Sequence, residues 1–225
     1  MNRDGRPSSS RLWLLRDGAT PESGTHLLLR HPVFAWLGIR PVLGQHTARE
    51  HEALKKWAAG RASLVEIGVA EGASAIALRE AMSPRGTLWL IDPYHLSRMR
   101  YLNAMKRAAH RAVESCRNGR VVWIEKFSSV AATDWNCQID FLFIDGDHSG
   151  TGAQQDWDNW YRFVVPGGVV AFHDGAVFPG GWTRQDWGPV RLVGRLFRDQ
   201  TLPGWRIVQQ VDSLVVVERF SEAAP

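Results

Sequence analysis

The sequence has only two cysteines, Cys116 and Cys137, so no disulfide framework is available, and a chain of 225 residues does not need one to hold a core. No apolar stretch approaches the ~20 residues that span a bilayer. The short run Leu12–Leu15 is cut by Arg16, well below the length of a secretory h-region. Runs of five or more like charges are also missing. The 27 Lys and Arg are spread against 23 Asp and Glu, whereas a nucleic-acid binder concentrates its basic residues in a stripe. The most basic segment, Arg98 to Arg120, reads as the solvated face of a helix. There is no internal repeat and no low-complexity tract. These absences predict a cytoplasmic globular protein whose partner is neither a nucleic acid nor a membrane.

What the sequence does have is a 44% apolar content, ample for a sizeable core, and eleven tryptophans, several in loops where their faces could line a pocket. Residues 1–44 read as an N-terminal extension: Pro7–Ser10 suits a frayed end, and Pro32, Gly38, Pro41 and Gly44 punctuate too often for a long helix. Residues 45–225 form the main domain, opening on an amphipathic helix over Gln45–Ala59. From there strand and helix alternate. Strands are expected at Ser63–Ile67, Thr87–Ile91, Val121–Ile124, Ile139–Ile144 and Val169–Phe172. Helices are expected at Ser74–Met82, Arg98–Cys116, Ser128–Asp134, Thr151–Phe163 and Pro189–Arg198, with Pro166-Gly167-Gly168 as a turn. Trp205–Gln209 and Ser213–Glu218, joined by Gln210–Asp212, should close the fold as an edge hairpin. Nearly continuous apolar strands alternating with helices predict an open, doubly wound α/β sheet covered on both faces.

In such a sheet ligands bind beyond the carboxyl ends of the strands. Here those ends carry Gly68–Gly72, Asp92, Asp145–His148 and His173-Asp174, so the polar groups gather at one end. Gly68 and Gly72 allow tight backbone approach, and Ser74 falls near the start of the next helix, where an anion is favoured. The spacing is G-x-x-x-G, with Ala70 where a dinucleotide fold places its middle glycine, so an adenosyl group without a pyrophosphate fits better. Asp92 lies 20 residues beyond Gly72, the separation of an acid that grips ribose hydroxyls, although it could equally cap the turn at Pro93.

Four segments in order carry a resemblance: Glu66-Ile67-Gly68-x-x-x-Gly72-x-Ser74, Ile91-Asp92-Pro93-Tyr94, Ile139 through Asp145-Gly146-Asp147-His148, and Pro166-Gly167-Gly168-x-x-Ala171-Phe172-His173-Asp174. Over about residues 45–218 the chain resembles the class I S-adenosylmethionine-dependent methyltransferases. The most similar branch is that of small-molecule O-methyltransferases of catechol, caffeoyl-CoA and bacterial natural-product type. The resemblance implies a Rossmann-like seven-stranded sheet with an antiparallel last strand and S-adenosyl-L-methionine as cofactor. By position, Glu66, Gly68 and Gly72 would shape the cofactor turn, Ser74 would hold the methionine carboxylate, and Asp92 the ribose. Ser128 and Ser129 would contact adenine, Asp145 would face the cofactor from the fourth strand, and Thr47 would reach the carboxylate from upstream. In metal-dependent relatives an aspartate at the position of Asp145 and two oxygen ligands after the next strand hold Mg²⁺. Here that pair is His173-Asp174, and an imidazole suits a softer divalent ion, or no metal at all.

His148 stands close to the place of the catechol-type lysine base, and a histidine there titrates near neutrality. His173 is the alternative base, and Asp147-His148 could instead cap the following helix. The loop Gly175–Trp187, with Phe178, Trp182 and Trp187, suggests a mobile cover over a flat acceptor. Trp13, Phe34 and Trp36 would form the other wall or a homodimer contact, or would, like the loop aromatics, equally pack on the sheet's outer helices. The expected activity is methylation of a hydroxyl on a small molecule, a natural product, sugar or phenol. Methylation of nitrogen or carboxyl, and a non-catalytic binding module, are the alternatives. A nicotinamide oxidoreductase is disfavoured by the lack of Tyr-x-x-x-Lys, and a nucleic-acid amino-methylase by the lack of an Asn/Asp-Pro-Pro-Tyr motif.

Overall fold

A computed structural model describes residues 31–94, 103–199 and 202–220, with the backbone alone at residues 13 and 14. The expected frayed stretch Pro7–Ser10, the Trp13 side chain, and Arg98 and Arg100 lie outside the described residues. Short strands β1 (Trp13–Leu14) and β2 (Val42–Leu43) pair in parallel, with helix α1 (Pro32–Trp36) between them. Then come α2 (Ala48–Ala58), β3 (Ser63–Ile67), α3 (Ala73–Ala81), β4 (Thr87–Ile91), α4 (Ala104–Ser115), β5 (Arg120–Ile124) and α5 (Ser128–Thr133). The chain continues through β6 (Ile139–Ile144), α6 (Gly150–Trp160), β7 (Val164–Phe172), α7 (Gly188–Val193), β8 (Trp205–Val211) and β9 (Leu214–Arg219). The seven strands β3 to β9 form one sheet in the order β5-β4-β3-β6-β7-β9-β8. β9 runs antiparallel to both β7 and β8, while the other pairings are parallel.

Strand alternation sends Leu64, Phe141 and Phe143 to one face, packed under α2, α3 and α4. Val65, Leu142 and Phe172 go to the other, against Trp157 and Trp160 of α6. Both faces are covered, which is why these strands read as continuous apolar runs. Because the strand order reverses at β3, its carboxyl end and that of β6 open a crevice between them.

Helix ends depart from the sequence expectation where polar caps decide them. The first helix starts at Ala48 because Thr47 and Glu50 close a capping box: Thr47 Oγ1 accepts from Glu50 N at 3.1 Å and Thr47 N donates to Glu50 Oε2 at 2.7 Å. Helix α4 begins at Ala104 because the Asn103 side chain accepts from Lys106 N at 3.0 Å. Its basic face is not simply solvated: Arg111 Nη1 donates to Trp36 O at 2.9 Å and Arg107 lies 4.9 Å over the Trp36 ring, docking α1. The helix expected over Thr151–Phe163 turns 3₁₀ at Tyr161–Phe163, and the one over Pro189–Arg198 widens into π geometry at Gly194–Asp199. Pro166-Gly167-Gly168 is no turn before a strand. It is a bulge within β7, since Val164 pairs with Ile139 and Val169 with Phe141. The closing hairpin turns at Asp212-Ser213, with Asp212 at φ 50°, rather than over Gln210–Asp212. Among the described residues no helix is long and apolar enough to cross a membrane.

Candidate active site

The carboxyl ends of β3, β4 and β6 open onto one cleft of about 1030 Å³. Its floor depends on Gly68, which has φ 82°. A Cβ there would lie 2.0 Å from the Asp145 carbonyl oxygen, so the ends of β3 and β6 approach as closely as they do only because this position has no side chain. Asp92 ties the second strand's end to that turn. Its Oδ2 accepts from Val69 N (3.0 Å) and Ala70 N (3.1 Å), and its Oδ1 from Tyr94 N at 2.8 Å. It therefore caps the turn around Pro93 and faces the cleft at once.

Gly68, Ser74, Asp92, Ser128, Ser129, Asp145 and His148 all line this cleft. Glu66, Gly72, Thr47, His173 and Asp174 do not. Glu66 is fully buried behind the turn, where Ser74 Oγ donates to its Oε1 at 2.5 Å and Oε2 has no hydrogen-bond partner. Burial, reinforced by Asp145 and Asp92, pushes its carboxyl well above the usual range, against the opposing Ser74 bond. Gly72 caps α3 at φ 87°, and a Cβ there would come within 3.1 Å of Val113 and 3.3 Å of Ala109. It lets α3 and α4 pack closely. The Thr47 hydroxyl donates to Asp212 Oδ2 at 2.7 Å, fastening α2 to the hairpin turn.

Beside the crevice lies a cluster of charged groups. Asp145 Oδ1 is 3.0 Å from His173 Nδ1 and 3.4 Å from His148 Nε2, and Asp174 Oδ2 is 3.6 Å from both imidazoles. Burial works to raise the Asp145 carboxyl, but the two imidazoles outweigh it and hold it ionised, well below the usual carboxylate range. His173 is only 2% exposed. Burial disfavours its charge, yet Asp145, Glu50 and Asp174 together raise it well above its ordinary value. The Asp145 hydrogen bond chiefly raises His148 against a partial desolvation. Of the two imidazoles left open as base, only His148 faces the cleft with a proton site to spare. A carboxylate can only accept, so His148 Nε2 donates to Asp145 and the lone pair is left on Nδ1. The Trp187 ring stacks on His148 at 5.5 Å and Trp182 Nε1 donates to Asp174 Oδ1 at 2.8 Å. The aromatic loop thus supports the cluster from behind; neither tryptophan lines the cleft. Asp147 spends its carboxylate on Ser149, whose hydroxyl caps α6, so the capping alternative holds for Asp147 and not for His148.

The metal expectation fares differently. Ligating atoms of Asp145, His148 and His173 fall within 4.8 Å of one another. That donor set is one oxygen and two nitrogens, whereas Mg²⁺ takes a shell of oxygens. Asp174, the expected third ligand, has one oxygen engaged by Trp182. A softer ion matches the nitrogens but would have to displace the Nδ1 proton that His173 donates to Asp145. These residues do not fit Mg²⁺.

Several site residues escaped the sequence reading. Glu50 is fully buried, accepts from Ser213 N (2.8 Å), Ser213 Oγ (2.6 Å) and Leu214 N (3.1 Å), and stands 3.8 Å from His173 Nε2. Burial opposes its charge, but those bonds and His173 bring its carboxyl down to about 2. His46 lines the cleft and stacks on His51, with 3.1 Å between Nε2 and Nδ1, and burial pushes it down to about 3. Only the Thr47-x-x-Glu50 capping box was visible as a signal. Asp156 of α6, also in the cleft wall, carried none.

The crevice at a strand-order reversal, floored by a glycine turn and flanked by an acid after the next strand, defines a Rossmann-type nucleoside-binding enzyme fold. A family model described as a methyltransferase domain matches residues 65–175. Three solved structures are similar in fold. A protein from Corynebacterium glutamicum has a TM-score of 0.62 at 16% identity, covering 91% of this chain and 94% of that one. The O-methyltransferase TomG from Streptomyces achromogenes, involved in tomaymycin synthesis and solved with S-adenosylmethionine, has 0.60 at 16%, covering 89% and 92%. CalS11, a TDP-rhamnose 3′-O-methyltransferase of calicheamicin biosynthesis, has 0.55 at 12%, covering 88% and 96%. The chain is a class I S-adenosylmethionine-dependent methyltransferase.

Proposed function

We propose that this methyltransferase acts on a hydroxyl of a small molecule, a natural product, sugar or phenol, with His148 as the proton acceptor. The observation that carries this reading is that His148, held by Asp145 and backed by Trp187, opens onto the same cleft as the Gly68 turn and Asp92. The likeness to two O-methyltransferases of natural-product pathways supports it.

S-adenosylmethionine supplies an electrophilic methyl group on a sulfonium sulfur. Asp92 would accept from the ribose hydroxyls, Ser74 would turn its hydroxyl from Glu66 to donate to the methionine carboxylate, and Ser128 and Ser129 would flank the adenine. Glu66 and Gly72 shape the turn from behind, as a buried partner of Ser74 and as a helix contact. With the methyl group offered to the acceptor oxygen, His148 Nδ1 would take the proton that the hydroxyl gives up. Asp145 stabilises the imidazolium so formed, while His173 neutralises Asp145 from the buried side. No step requires a covalent enzyme intermediate.

His148→Ala should leave S-adenosylhomocysteine affinity within a few-fold while lowering turnover by ~10²-fold or more on the best acceptor of a phenol, sugar and amine panel, assayed with and without chelator. Unchanged turnover would remove His148 from the mechanism. Turnover confined to amines would replace hydroxyl with nitrogen methylation.

A further inference from the structure

Asp156 sits on α6, outside every motif the sequence offers, and is 4% exposed, yet it forms part of the cleft wall. The Ser128 hydroxyl at the start of α5 donates to its Oδ1. Its Oδ2 is turned to Gly146, where a Cβ would stand 2.6 Å away, so a side chain at that position would push the carboxyl aside. Burial chiefly, with Asp147 adding to it and Ser128 opposing, raises this carboxyl from 3.8 to about 6. At neutral pH it is therefore a mostly ionised and poorly hydrated acceptor. Such a group destabilises a fold unless something donates to it.

The surrounding wall says what could. Asp92 ends β4, and β5 with Phe127, Ser128 and Ser129 lies next to it, so a base attached to a ribose at Asp92 reaches the α5–α6 end of the cleft. Phe127 is 53% exposed and offers an apolar face there. An adenine edge presents the exocyclic amine as a donor and a 6-oxopurine presents an acceptor in its place.

We propose that Asp156 is a specificity-determining residue for the cofactor's purine, its Oδ2 accepting a hydrogen bond from the exocyclic amine of adenine while Ser128 holds Oδ1. The inference rests on the cleft being the S-adenosylmethionine site. A 6-oxopurine would set oxygen against carboxylate and leave both unpaired.

Calorimetric titration of S-adenosylhomocysteine and its deaminated counterpart, S-inosylhomocysteine, into the wild-type protein and Asp156→Asn tests this. The wild type should bind the amino form ~10-fold or more tighter. In Asp156→Asn the amide can donate to the 6-oxo group, so the ratio should fall by ~10-fold or reverse. Asp156→Ala, which removes the acceptor and adds no donor, should bring the ratio toward one. Equal affinities in the wild type, or a preference unchanged by both substitutions, overturns the proposal. Absence of binding of either nucleoside to the wild type sinks the cofactor reading itself, an outcome distinct from binding without discrimination.

Discussion

Asp156 also carries a thermodynamic signature that can be read without any ligand. Its carboxyl is raised in the folded chain from 3.8 to about 6, so the native state binds the proton more tightly than the unfolded state does. Well below pH 4 the group is protonated in both states and contributes nothing. As pH rises from about 4 to about 6 the unfolded chain ionises first and the native state loses ground, by a total of about 3 kcal/mol for a shift of this size. Asp156→Asn keeps the shape and has no charge to desolvate. Chemical denaturation of the ligand-free protein should show the variant equal to wild type near pH 4 and more stable by up to about 3 kcal/mol at pH 7.5. Parallel pH curves for the two proteins would mean that the carboxyl is not held in a low-dielectric wall. The same comparison separates structure from function: a substitution that stabilises the fold while eroding purine preference marks a residue kept for binding rather than for packing.

At the scale of elements, the glycine turn after β3 is where backbone geometry, not side-chain chemistry, decides the site. Gly68→Ala would place a methyl group 2.0 Å from the Asp145 carbonyl oxygen in a backbone at φ 82°, and neither the carbonyl nor the turn can yield without parting β3 from β6. The loss should be at least ~2 kcal/mol in unfolding free energy, with weakened S-adenosylhomocysteine binding in whatever fraction remains folded. A variant of native stability and affinity would contradict the close approach. This turn was legible in the sequence, as were the five parallel strands β3 to β7, because both rest on local pattern: strands covered on both faces read as apolar runs, and a tight crossing needs glycine. Helix ends were less legible, since Asn103 and Thr47 set them through single capping bonds that periodicity does not record. Least legible was the support beneath His173. Glu50 meets Ser213 and Leu214 more than 160 residues along the chain, and only the paired ends of β7 and β9 bring them together. His173 itself shows the limit of motif reasoning: residue type and spacing make it a candidate base, while its burial beside Asp145 and Glu50 keeps it out of the cleft.

Across the whole molecule, the segment before α2 is built into the cleft rather than hung beside it. Leu43, Gly44, Gln45 and His46 line the cleft, and one buried ion pair ties their segment to the cofactor turn. Arg40 Nη1 and Nη2 donate to Glu71 Oε2 and Oε1 at 2.7 and 2.8 Å, and Leu43 N donates to the same carboxylate at 2.9 Å. Glu71 lies between Ala70 and Gly72, within the very turn that Asp92 braces, so the upstream wall and the cofactor turn share a joint. Removing one member of a pair this buried leaves its partner's charge poorly compensated, an effect of about 3 kcal/mol. Because α1 stays docked on α4 through Trp36, Arg107 and Arg111 while the joint at Glu71 is lost, that loss should appear as local opening rather than global unfolding. In Glu71→Ala, amides with native partners in this segment, such as Leu37 and Ile39, should exchange hydrogen roughly 100-fold faster, while those of β6 keep their protection. Saturating S-adenosylhomocysteine should restore part of the difference, since a ligand against Gly44 and His46 binds only the closed arrangement. Exchange accelerated equally in β6 would show instead that the ion pair holds the whole domain together and that the upstream wall has no separate freedom to open.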